Sequence, residues 1–469
     1  MNDARKRTNN PSKNINRDFD LPEEYLTLGK DKKYYLRTYG CQANVRDGET
    51  ISGLFEAMGF VSCEDEKQAD VILFNTCAIR KNAEDKVLGE LGNIKTLKKT
   101  NPDLIIGICG CMAQEEGMVN MLLSKYPQVD LIFGTHNIDN LPKLLHEAIV
   151  KRQRTVEVFS KEGDVVENLP VKRYETHRAW VNIMYGCDKF CTYCIVPYTR
   201  GKQRSRDPKD ILEEIRQLVE KGYKEVTLLG QNVNAYGKDL DIGYDFADLL
   251  EEVARSGIKR VRFMTSHPFD FTFRMVDVIA DNRDILMPYI HLPVQSGNDE
   301  VLKLMGRRYD RKQYLELFDY IRKRIPECTI STDIIVGFPT ETQQAFEDTL
   351  SLVDYCKFDN AFTFIYSPRE GTPAARMKDD IGTGVKEQRL QTLNAKIGHY
   401  ALENNQKYQD RILEVMVDGP SKRNQDTYSG YSREFKLVNF KGNDLKPGDI
   451  VNVKITKVHS WSLDGETID

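Results

Sequence analysis

The chain has 469 residues, of which 40 % are hydrophobic and 29 % charged, a composition typical of a globular protein. Its net charge of −4 gives no overall argument for nucleic-acid binding, and no run of about 18 apolar residues predicts a membrane span. The N-terminal stretch lacks the apolar core of a secretory signal, so we expect a disordered tail over residues 1–30. Ten cysteines without such a signal indicate the reducing cytoplasm, where clustered cysteines more often bind metal or do redox work than form disulfides.

Residues 31–150 alternate short apolar strands with amphipathic helices. The strand candidates are KKYYLRTYG, ADVILFNTC, DLIIGICGC and VDLIFGTHN. Between the first two, GETISGLFEAMG carries apolar residues at helical spacing and predicts a helix that ends at Gly59. Strands that alternate with helices predict an α/β domain with a doubly wound parallel sheet. The charged and weakly patterned residues 151–175 suit a linker.

The alternation resumes over residues 176–405 with a longer period. Six strand candidates, each followed by a helical pattern, are WVNIMYG, KEVTLLGQN, RVRFMTS, MPYIHLPV, CTISTDIIVGF and NAFTFIYS. Six such units in series predict a partial (βα)6 barrel. Residues 406–469 lose the helical periodicity, and segments such as ILEVMVDG and GDIVNVKITKVHSW predict a small β-barrel.

The densest group of metal-ligand side chains is CDKFCTYC, which directly follows the first predicted barrel strand. Cys187, Cys191 and Cys194 are spaced C-x3-C-x2-C. Soft thiolates at this density select an iron–sulfur cluster or zinc. Three protein ligands on a four-iron cluster leave one iron open to a substrate or cofactor. The alternative is a structural zinc site, which usually needs a fourth Cys or His nearby, and none follows Cys194 closely.

A second set of cysteines ends successive strands of the N-terminal domain. These are Cys41, Cys77 and Cys111. Because the carboxyl ends of parallel strands meet at one edge of a sheet, the three thiols are expected to converge. Cys109 competes with Cys111, since two residues apart on one strand they would face the same side, but Cys111 is nearer the turn. The other thiols are interpreted as core or surface residues: Cys63, Cys109, Cys328 and Cys356.

The C-x3-C-x2-C motif with an aromatic residue, Tyr193, before its last cysteine resembles the signature of the radical S-adenosylmethionine (SAM) superfamily. The resemblance implies a [4Fe–4S] cluster whose open iron binds the amino and carboxylate groups of SAM. Reduction of that cluster then cleaves SAM to methionine and a 5′-deoxyadenosyl radical.

Both cysteine sets together resemble the radical SAM methylthiotransferase family, over about residues 31–469. TYGCQAN, NTCAIR and GCMAQ match its N-terminal domain, where three cysteines hold an auxiliary [4Fe–4S] cluster. HLPVQSGN, TDIIVGFPTET and FIYSPREGTPAA match its barrel, and the C-terminal β-barrel matches its RNA-binding TRAM domain. GQNVNAYG, TSHPFDF and DVVENLP are most similar to the MiaB-type branch.

That branch implies a transferase that adds a methylthio group to C2 of N6-dimethylallyladenosine at position 37 of tRNA. The C2–H bond is unreactive toward a base, so its hydrogen is removed by a radical. By the family mechanism, one SAM methylates the sulfur held by the auxiliary cluster and a second generates the radical. Other family substrates are tRNA with threonylcarbamoyl-adenosine and an aspartate of a ribosomal protein. A non-catalytic RNA-binding iron–sulfur or zinc protein is the alternative from another class.

The resemblance also implies SAM contacts at Tyr193 of the cysteine motif and at the barrel strand ends. Gly230 and Gln231 follow the second strand and are expected near the SAM amino group. Gln295 and Ser296 follow the fourth strand and are expected near the ribose, and Gly337 follows the fifth, near the adenine. The alternative for each is ordinary turn chemistry.

Two groups of residues are candidates for RNA contact. TRGKQRSR carries four cations without an acid, which suits phosphate binding, and the alternative is a solvated charged stretch. Those cations are Arg200, Lys202, Arg204 and Arg206. Tyr428, Tyr431 and Phe435 suit base stacking, and core packing is the alternative. His267 and His291 are interpreted as hydrogen-bonded core residues. We expect the tRNA anticodon loop as partner, a flavodoxin or ferredoxin as reductant, and a monomer.

Overall fold

The structure, a computed structural model, describes residues 14–15, 19–78, 81–158, 165–421 and 427–468. The chain forms two compact units. The first comprises Met1–Tyr174, Met184–Phe190 and Cys194–Arg206, and the second comprises Glu175–Ile183, Cys191–Tyr193 and Asp207–Asp469. Helices and strands are numbered in order along the whole chain.

The first unit is built on a parallel sheet with helices. Its helices are α1 (Glu23–Leu26), α2 (Gln42–Ala57), α3 (Lys81–Thr100), α4 (Glu116–Lys125), α5 (Leu141–Val150) and α6 (Val196–Thr199). Its strands are β1 (Asn14–Ile15), β2 (Lys33–Tyr39), β3 (Val61–Ser62), β4 (Val71–Thr76), β5 (Ile105–Gly110), β6 (Leu131–Phe133), β7 (Thr155–Glu157), β8 (Val165–Val166), β10 (Met184–Tyr185) and β11 (Arg204–Ser205).

The sheet of the first unit has the order β3-β2-β4-β5-β6-β7, and all its strands are parallel. Strands β4 and β5 are wholly buried, and separate apolar cores contain alternate residues of these strands. This confirms the predicted doubly wound sheet. The chain reverses its direction of strand addition between β2 and β4, because β3 lies outside β2. The carboxyl ends of β2 and β4 therefore form the switch point at which such sheets bind ligands.

Two segments differ from their predictions. The predicted linker contributes β7, which pairs with β6 at the sheet edge because its backbone completes the hydrogen bonds of β6. Within the predicted disordered tail, α1 is helical, and Phe19, Leu21 and Tyr25 pack against the core because these apolar side chains gain burial there. Residues 1–13, 16–18 and 159–164 lie outside the described part of the chain.

The second unit combines a partial barrel with a small closed β-barrel. Its helices are α7 (Pro208–Glu220), α8 (Phe246–Ala254), α9 (Phe273–Asp281), α10 (Asp299–Leu304), α11 (Arg311–Arg324), α12 (Gln343–Cys356) and α13 (Thr383–Gln406). Its strands are β9 (Arg178–Asn182), β12 (Glu225–Leu229), β13 (Arg260–Phe263), β14 (Tyr289–His291), β15 (Thr329–Val336), β16 (Asn360–Ile365), β17 (Ile412–Pro420), β18 (Tyr428–Ser432), β19 (Leu437–Lys441), β20 (Ile450–Val458) and β21 (Leu463–Thr467).

The partial barrel consists of two parallel three-stranded sheets, β9-β12-β13 and β14-β15-β16. A parallel bridge between Val261 and Leu286 links β13 to the segment before β14. The last five strands close into the barrel β17-β18-β19-β21-β20. The predicted six βα units and the predicted C-terminal β-barrel are therefore both confirmed.

The C-terminal barrel docks onto the amino-terminal ends of the βα-barrel strands through the loop between β18 and β19. Arg260 and Arg262 of β13 both pair with Glu225 Oε2 at 3.0 Å. Their remaining N–H groups donate to the backbone carbonyls of Tyr431 and Ser432 at 2.7–3.1 Å. Buried arginines thus satisfy carbonyls at the end of β18 that would otherwise lose their hydrogen bonds to water.

Asp359, just before β16, is a second anchor for the same loop. Its fully buried carboxylate accepts hydrogen bonds from Ile330 N (3.0 Å), Arg322 Nη2 (3.1 Å) and Lys436 Nζ (3.1 Å). Burial alone would raise the pKa of Asp359, but the charges of Lys436, Arg322 and Lys407 lower it below its usual value. The carboxylate therefore neutralises cations from three separate elements.

Replacing Asp359 by alanine is expected to destabilise the second unit by about 3–5 kcal/mol, because the buried Lys436 and the half-buried Arg322 would lose their counterion. Urea unfolding at pH 7 measures this, with Asp354→Asn as control. Asp354 makes an exposed ion pair with Lys396, which is worth at most about 1 kcal/mol. Because the folded pKa is lowered, the stabilisation is present above the unfolded pKa of about 3.9 and lost as the pH falls through the folded value. Equal effects of the two variants at pH 7 would contradict this role.

Candidate active site

Cys41 and Cys77 meet at the switch point of the first unit. Cys41 follows β2 after Gly40 and is the N-cap residue of α2, and Cys77 directly follows β4. A hydrogen bond from Cys77 lowers the pKa of Cys41 to about 6, against the effect of burial, and Arg200 and the Asn44 N–H at the start of α2 act in the same direction. Cys41 is thus poised as a thiolate, the form that binds metal.

Cys111 lies at the end of the neighbouring strand β5. Gly110 has φ +92°, and a Cβ there would lie 2.5 Å from Asn75 Oδ1, so the turn requires glycine. After this turn, Cys111 packs with Ala78 and Ile195, whereas Cys109 stays in the apolar core of the sheet. The expectation that Cys109 and Cys111 face the same side is wrong, because the left-handed backbone of Gly110 redirects the chain between them.

Arg200 is the nearest cation to these thiols. Its Nε donates to Cys111 Sγ at 3.2 Å, and its Nη2 forms an ion pair with Asp47. The residue is only 8 % exposed. Three thiols, one with a lowered pKa, and an arginine N–H directed at a sulfur form a donor set that fits an iron–sulfur cluster.

The other cations of TRGKQRSR also differ from expectation. Arg204 is buried and donates to the carbonyl of Arg200 at 2.9 Å. Arg206 is buried and pairs with Glu167 at 2.7 Å. Of the four cations, Lys202 alone is half-buried and keeps part of its side chain exposed. The prediction that Arg200, Arg204 and Arg206 bind RNA phosphates is therefore corrected, since their charges are used inside the unit.

Cys187 and Cys194 belong to the first unit. The Cys187 N–H donates to the carbonyl of Gly201 at 3.1 Å, beside the antiparallel pair β10–β11. Gly186 has φ +68°, and a Cβ there would lie 1.9 Å from the carbonyl oxygen of Lys202. Cys194 is half-buried, and the next residue, Ile195, packs against Cys111.

Cys191 belongs to the second unit, where Arg307 Nη1 donates to its Sγ at 3.5 Å. The next residue, Thr192, is held by its N–H on the carbonyl of Met305 at 2.8 Å. Tyr193 packs on the apolar cluster around Phe338. The loop of the second unit thus presents the Cys191 sulfur beside a buried guanidinium. No three Cys, His, Asp or Glu side chains of the described residues lie close enough to hold a single metal ion.

Buried polar groups lie at the strand ends where SAM contacts are expected. Gln231, after Gly230 and β12, has a buried side-chain oxygen without a hydrogen-bond partner among the described residues. An unpaired acceptor fits an ammonium group such as that of SAM. Gln295, which follows β14, is buried and has φ +70°. Its N–H donates to the carbonyl of Asp333 at 2.8 Å, and its own carbonyl accepts from the N–H of Ile335 at 3.0 Å.

Ser296 and Gly337 use polar groups internally. The Ser296 hydroxyl lies 3.4 Å from that of Thr349 and accepts from Asn298 N at 3.3 Å. The Gly337 N–H donates to Glu341 Oε2 at 2.7 Å. The expectation of a ribose contact through the Ser296 hydroxyl is corrected, because its hydrogen bonds connect the loop to α12.

The aromatic residues of the C-terminal barrel pack internally. The rings of Tyr431 and Phe435 stack at 4.7 Å, and Phe435 also contacts Tyr289 at 4.7 Å. Tyr428 stacks with Phe440 at 6.2 Å. These contacts fit the alternative of packing, but both tyrosines are half-buried, so the RNA-stacking role of Tyr428 and Tyr431 stays a prediction.

The sequence analysis named His291 but missed its partners, Asp333 and Phe362. His291 Nε2 lies 3.0 Å from Asp333 Oδ1, its Nδ1 is buried without a partner, and its ring contacts Phe362 edge-on at 6.1 Å. Phe362 and Phe364 are 42 % and 41 % exposed on β16. His291 was expected to be hydrogen-bonded, but nothing local marks its partner. His267 is also hydrogen-bonded, through Nδ1 to the Phe269 N–H at 3.2 Å.

Comparisons with protein families match three parts of the chain. Residues 33–134 match Uncharacterized protein family UPF0004, residues 181–353 match the Radical SAM superfamily, and residues 406–468 match the TRAM domain. The helices of the described residues are all too short or too polar to span a membrane.

Solved structures with the same fold include the radical S-adenosylmethionine methyltransferase TsrM from Kitasatospora setae, with cobalamin and a [4Fe-4S] cluster bound. It has a TM-score of 0.53 and 14 % identity, and the match covers 73 % of this chain and 77 % of that chain. The same protein with tryptophan substrate and a SAM analog gives 0.51, at 14 % identity over 73 % of this chain and 75 % of that one. At this identity the likeness shows the fold alone.

Curated relatives named tRNA-2-methylthio-N(6)-dimethylallyladenosine synthase match the full chain. The protein from Bacillus subtilis (strain 168) is 55 % identical over 100 % of this chain and 92 % of its own length. That from Geobacillus thermodenitrificans is 56 % identical over 96 % of this chain and 86 % of its own length. The chain therefore belongs to the MiaB-type family of radical SAM methylthiotransferases.

Proposed function

We propose that this chain attaches a methylthio group to C2 of N6-dimethylallyladenosine at position 37 of tRNA, with SAM and two [4Fe–4S] clusters as cofactors. The observation that carries the proposal is 55 % identity over the whole chain to relatives named for this activity. When bound, the clusters supply the electron that cleaves SAM and the sulfur that is transferred. Their proposed ligands are Cys187, Cys191 and Cys194 for the first and Cys41, Cys77 and Cys111 for the auxiliary cluster.

The chain's own residues bind and orient. Gln231, with its unpaired buried oxygen, accepts from the SAM ammonium group. Arg307 orients the loop of Cys191 by donating to the Cys191 sulfur. Its guanidinium is itself held in place, because it donates to the carbonyl of Pro293 at 2.9 Å and to the hydroxyl of Tyr309 at 3.0 Å. No acid–base pair is needed, because removal of hydrogen from C2 is radical chemistry.

The exposed aromatic side chains of β16 favour a substrate base that carries an apolar substituent. Phe362 and Phe364 pair in register with Asp333 and Ile335 of β15, so the four share one face of the sheet. His291 lies on the same face through its contacts with Asp333 and Phe362. We assign this face to the substrate: the rings contact the dimethylallyl group, and the unpaired His291 Nδ1 hydrogen-bonds to the adenine edge.

Anaerobic incubation of reconstituted protein with SAM, a reductant and tRNA carrying dimethylallyl-adenosine tests the function. Nucleosides from the digested tRNA are then weighed by mass spectrometry. We expect a nucleoside heavier by one methylthio group in place of hydrogen. The same tRNA with unmodified adenosine at position 37 is the matched control and is expected to give none, because the apolar group that contacts β16 is missing.

The alternatives predict other outcomes of this assay. A methylthio product only from tRNA with threonylcarbamoyl-adenosine, or only from a ribosomal protein, would assign this chain to another substrate of the same family. No SAM cleavage by protein that carries both clusters would favour a non-catalytic RNA-binding protein. We further propose the tRNA anticodon loop as partner, a flavodoxin or ferredoxin as electron donor, a monomeric state and a cytoplasmic location.

A further inference from the structure

Arg200 in the first unit carries a charge that the fold buries beside a predicted cluster ligand. Its Nε–H donates to Cys111 Sγ at 3.2 Å, and Asp47 compensates its charge on the other side of the guanidinium. Arg200 and Asp47 are both less than 10 % exposed. Water therefore screens neither group strongly, and the charge acts on the sulfur at short range.

Arg307 in the second unit has the same relation to Cys191. Its Nη1 donates to Cys191 Sγ at 3.5 Å, and it is 8 % exposed. Its other nitrogens bond to neutral groups, the Tyr309 hydroxyl and the Pro293 carbonyl. In the part of the chain that the structure describes, no carboxylate forms an ion pair with Arg307. Its positive charge is therefore less compensated than that of Arg200.

We propose that Arg200 and Arg307 are positioning residues that each raise the reduction potential of one cluster, Arg200 that of the auxiliary cluster and Arg307 that of the SAM-cleaving cluster. The inference rests on the proposed cluster ligands. A cluster gains one negative charge when it accepts an electron from an external reductant. A nearby cation and an N–H···S hydrogen bond favour that reduced form. Removal of either arginine therefore makes the corresponding cluster harder to reduce.

The experiment measures the two potentials separately. Variants with all three cysteines of one set changed to alanine leave a single cluster type. Each is reconstituted without SAM, assayed for iron, and titrated with a low-potential reductant while the reduced cluster is followed by electron paramagnetic resonance. Arg200→Gln is placed in the background that keeps Cys41, Cys77 and Cys111. Arg307→Gln is placed in the background that keeps Cys187, Cys191 and Cys194.

Each glutamine variant is expected to lower only its own potential. For Arg307→Gln we expect at least a tenfold smaller equilibrium constant for reduction, which is about 59 mV for a one-electron couple. The effect of Arg200→Gln is expected to be smaller, because Asp47 already offsets part of the charge. Each substitution placed in the other background is the matched control and is expected to leave that potential unchanged.

Asp47→Asn provides the opposite test. It removes the counterion but keeps the arginine, so the auxiliary potential is expected to rise. If Arg200 only supported the fold, Arg200→Gln and Asp47→Asn would not shift the auxiliary potential in opposite directions. Arg200→Lys and Arg307→Lys keep the charge without the planar guanidinium and are expected to restore part of each potential. These variants provide a second measurement if a glutamine variant binds less iron.

The outcomes separate this inference from the proposed function. Unchanged potentials in iron-loaded Arg200→Gln and Arg307→Gln proteins, or a lower potential in Asp47→Asn, would overturn the role of the arginines and leave the proposed function intact. Failure of the single-set backgrounds to bind iron before either arginine is changed would instead overturn the proposed cluster ligands.

Discussion

Replacement of Cys191 by alanine is expected to abolish the formation of 5′-deoxyadenosine from SAM. Cys191 is the central thiol of C-x3-C-x2-C, and a four-iron cluster with three protein ligands has none to spare. The N–H of the next residue, Thr192, donates to the carbonyl of Met305 at 2.8 Å, which holds the backbone beside Cys191 in place. Chromatography of anaerobic reactions with reductant and SAM measures the product directly.

The control for this variant is Cys356→Ala. Cys356 is buried at the end of α12 in the same unit, and burial raises the pKa of its thiol above the usual range. Cys356 lies outside the C-x3-C-x2-C motif, so SAM cleavage is expected to persist. Cleavage by Cys191→Ala at the unsubstituted rate would exclude Cys191 as a cluster ligand.

Replacement of Cys77 by alanine is expected to separate the two activities. SAM cleavage should remain, because the cysteines of C-x3-C-x2-C are intact, while methylthio transfer to tRNA should be lost. Cys77 lies at the switch point and hydrogen-bonds to Cys41, so its removal takes one of three thiols from the auxiliary set. The two products, 5′-deoxyadenosine and the methylthiolated nucleoside, are quantified from the same reaction.

Cys109→Ala is the matched control, since Cys109 is a fully buried thiol two residues from Cys111 in the same sheet. It packs in the apolar core of the sheet, and burial raises the pKa of its thiol well above the usual value. Methylthio transfer is expected to persist in this variant. Full transfer by Cys77→Ala, or loss of the auxiliary iron in Cys109→Ala, would contradict the assignment of Cys41, Cys77 and Cys111.

Much of the fold could be predicted because its signals are local. Apolar periodicity distinguishes the strands of the first sheet from its helices, and six strand–helix alternations predict the partial barrel. The helix after the first barrel strand illustrates this: Asp207 accepts a hydrogen bond from Lys209 N at 2.8 Å, as expected of a cap before Pro208. The linker was not predictable, because β7 has little pattern of its own and gains its strand form from β6.

Candidate ligands were equally accessible where the chemistry lies within a short segment. The spacing of Cys187, Cys191 and Cys194 is a property of eight consecutive residues and needs no fold to be seen. The convergence of Cys41 and Cys77 needed one further step, the rule that parallel strands end at one edge. Their contact in the structure agrees with that rule.

By itself, then, the sequence determined the order of secondary structure, the parallel sheet and barrel, and the thiol motifs, because neighbouring residues encode each of these. Only the tertiary structure decided which charges and rings are free. In the sequence, Arg200 belongs to a stretch of cations without an acid. In the structure, it contacts Cys111 and Asp47, which lies 153 residues away along the chain. Tyr431 likewise stacks on Phe435, a contact that no local pattern marks. Burial depends on partners that are distant along the chain, so no local pattern reveals it.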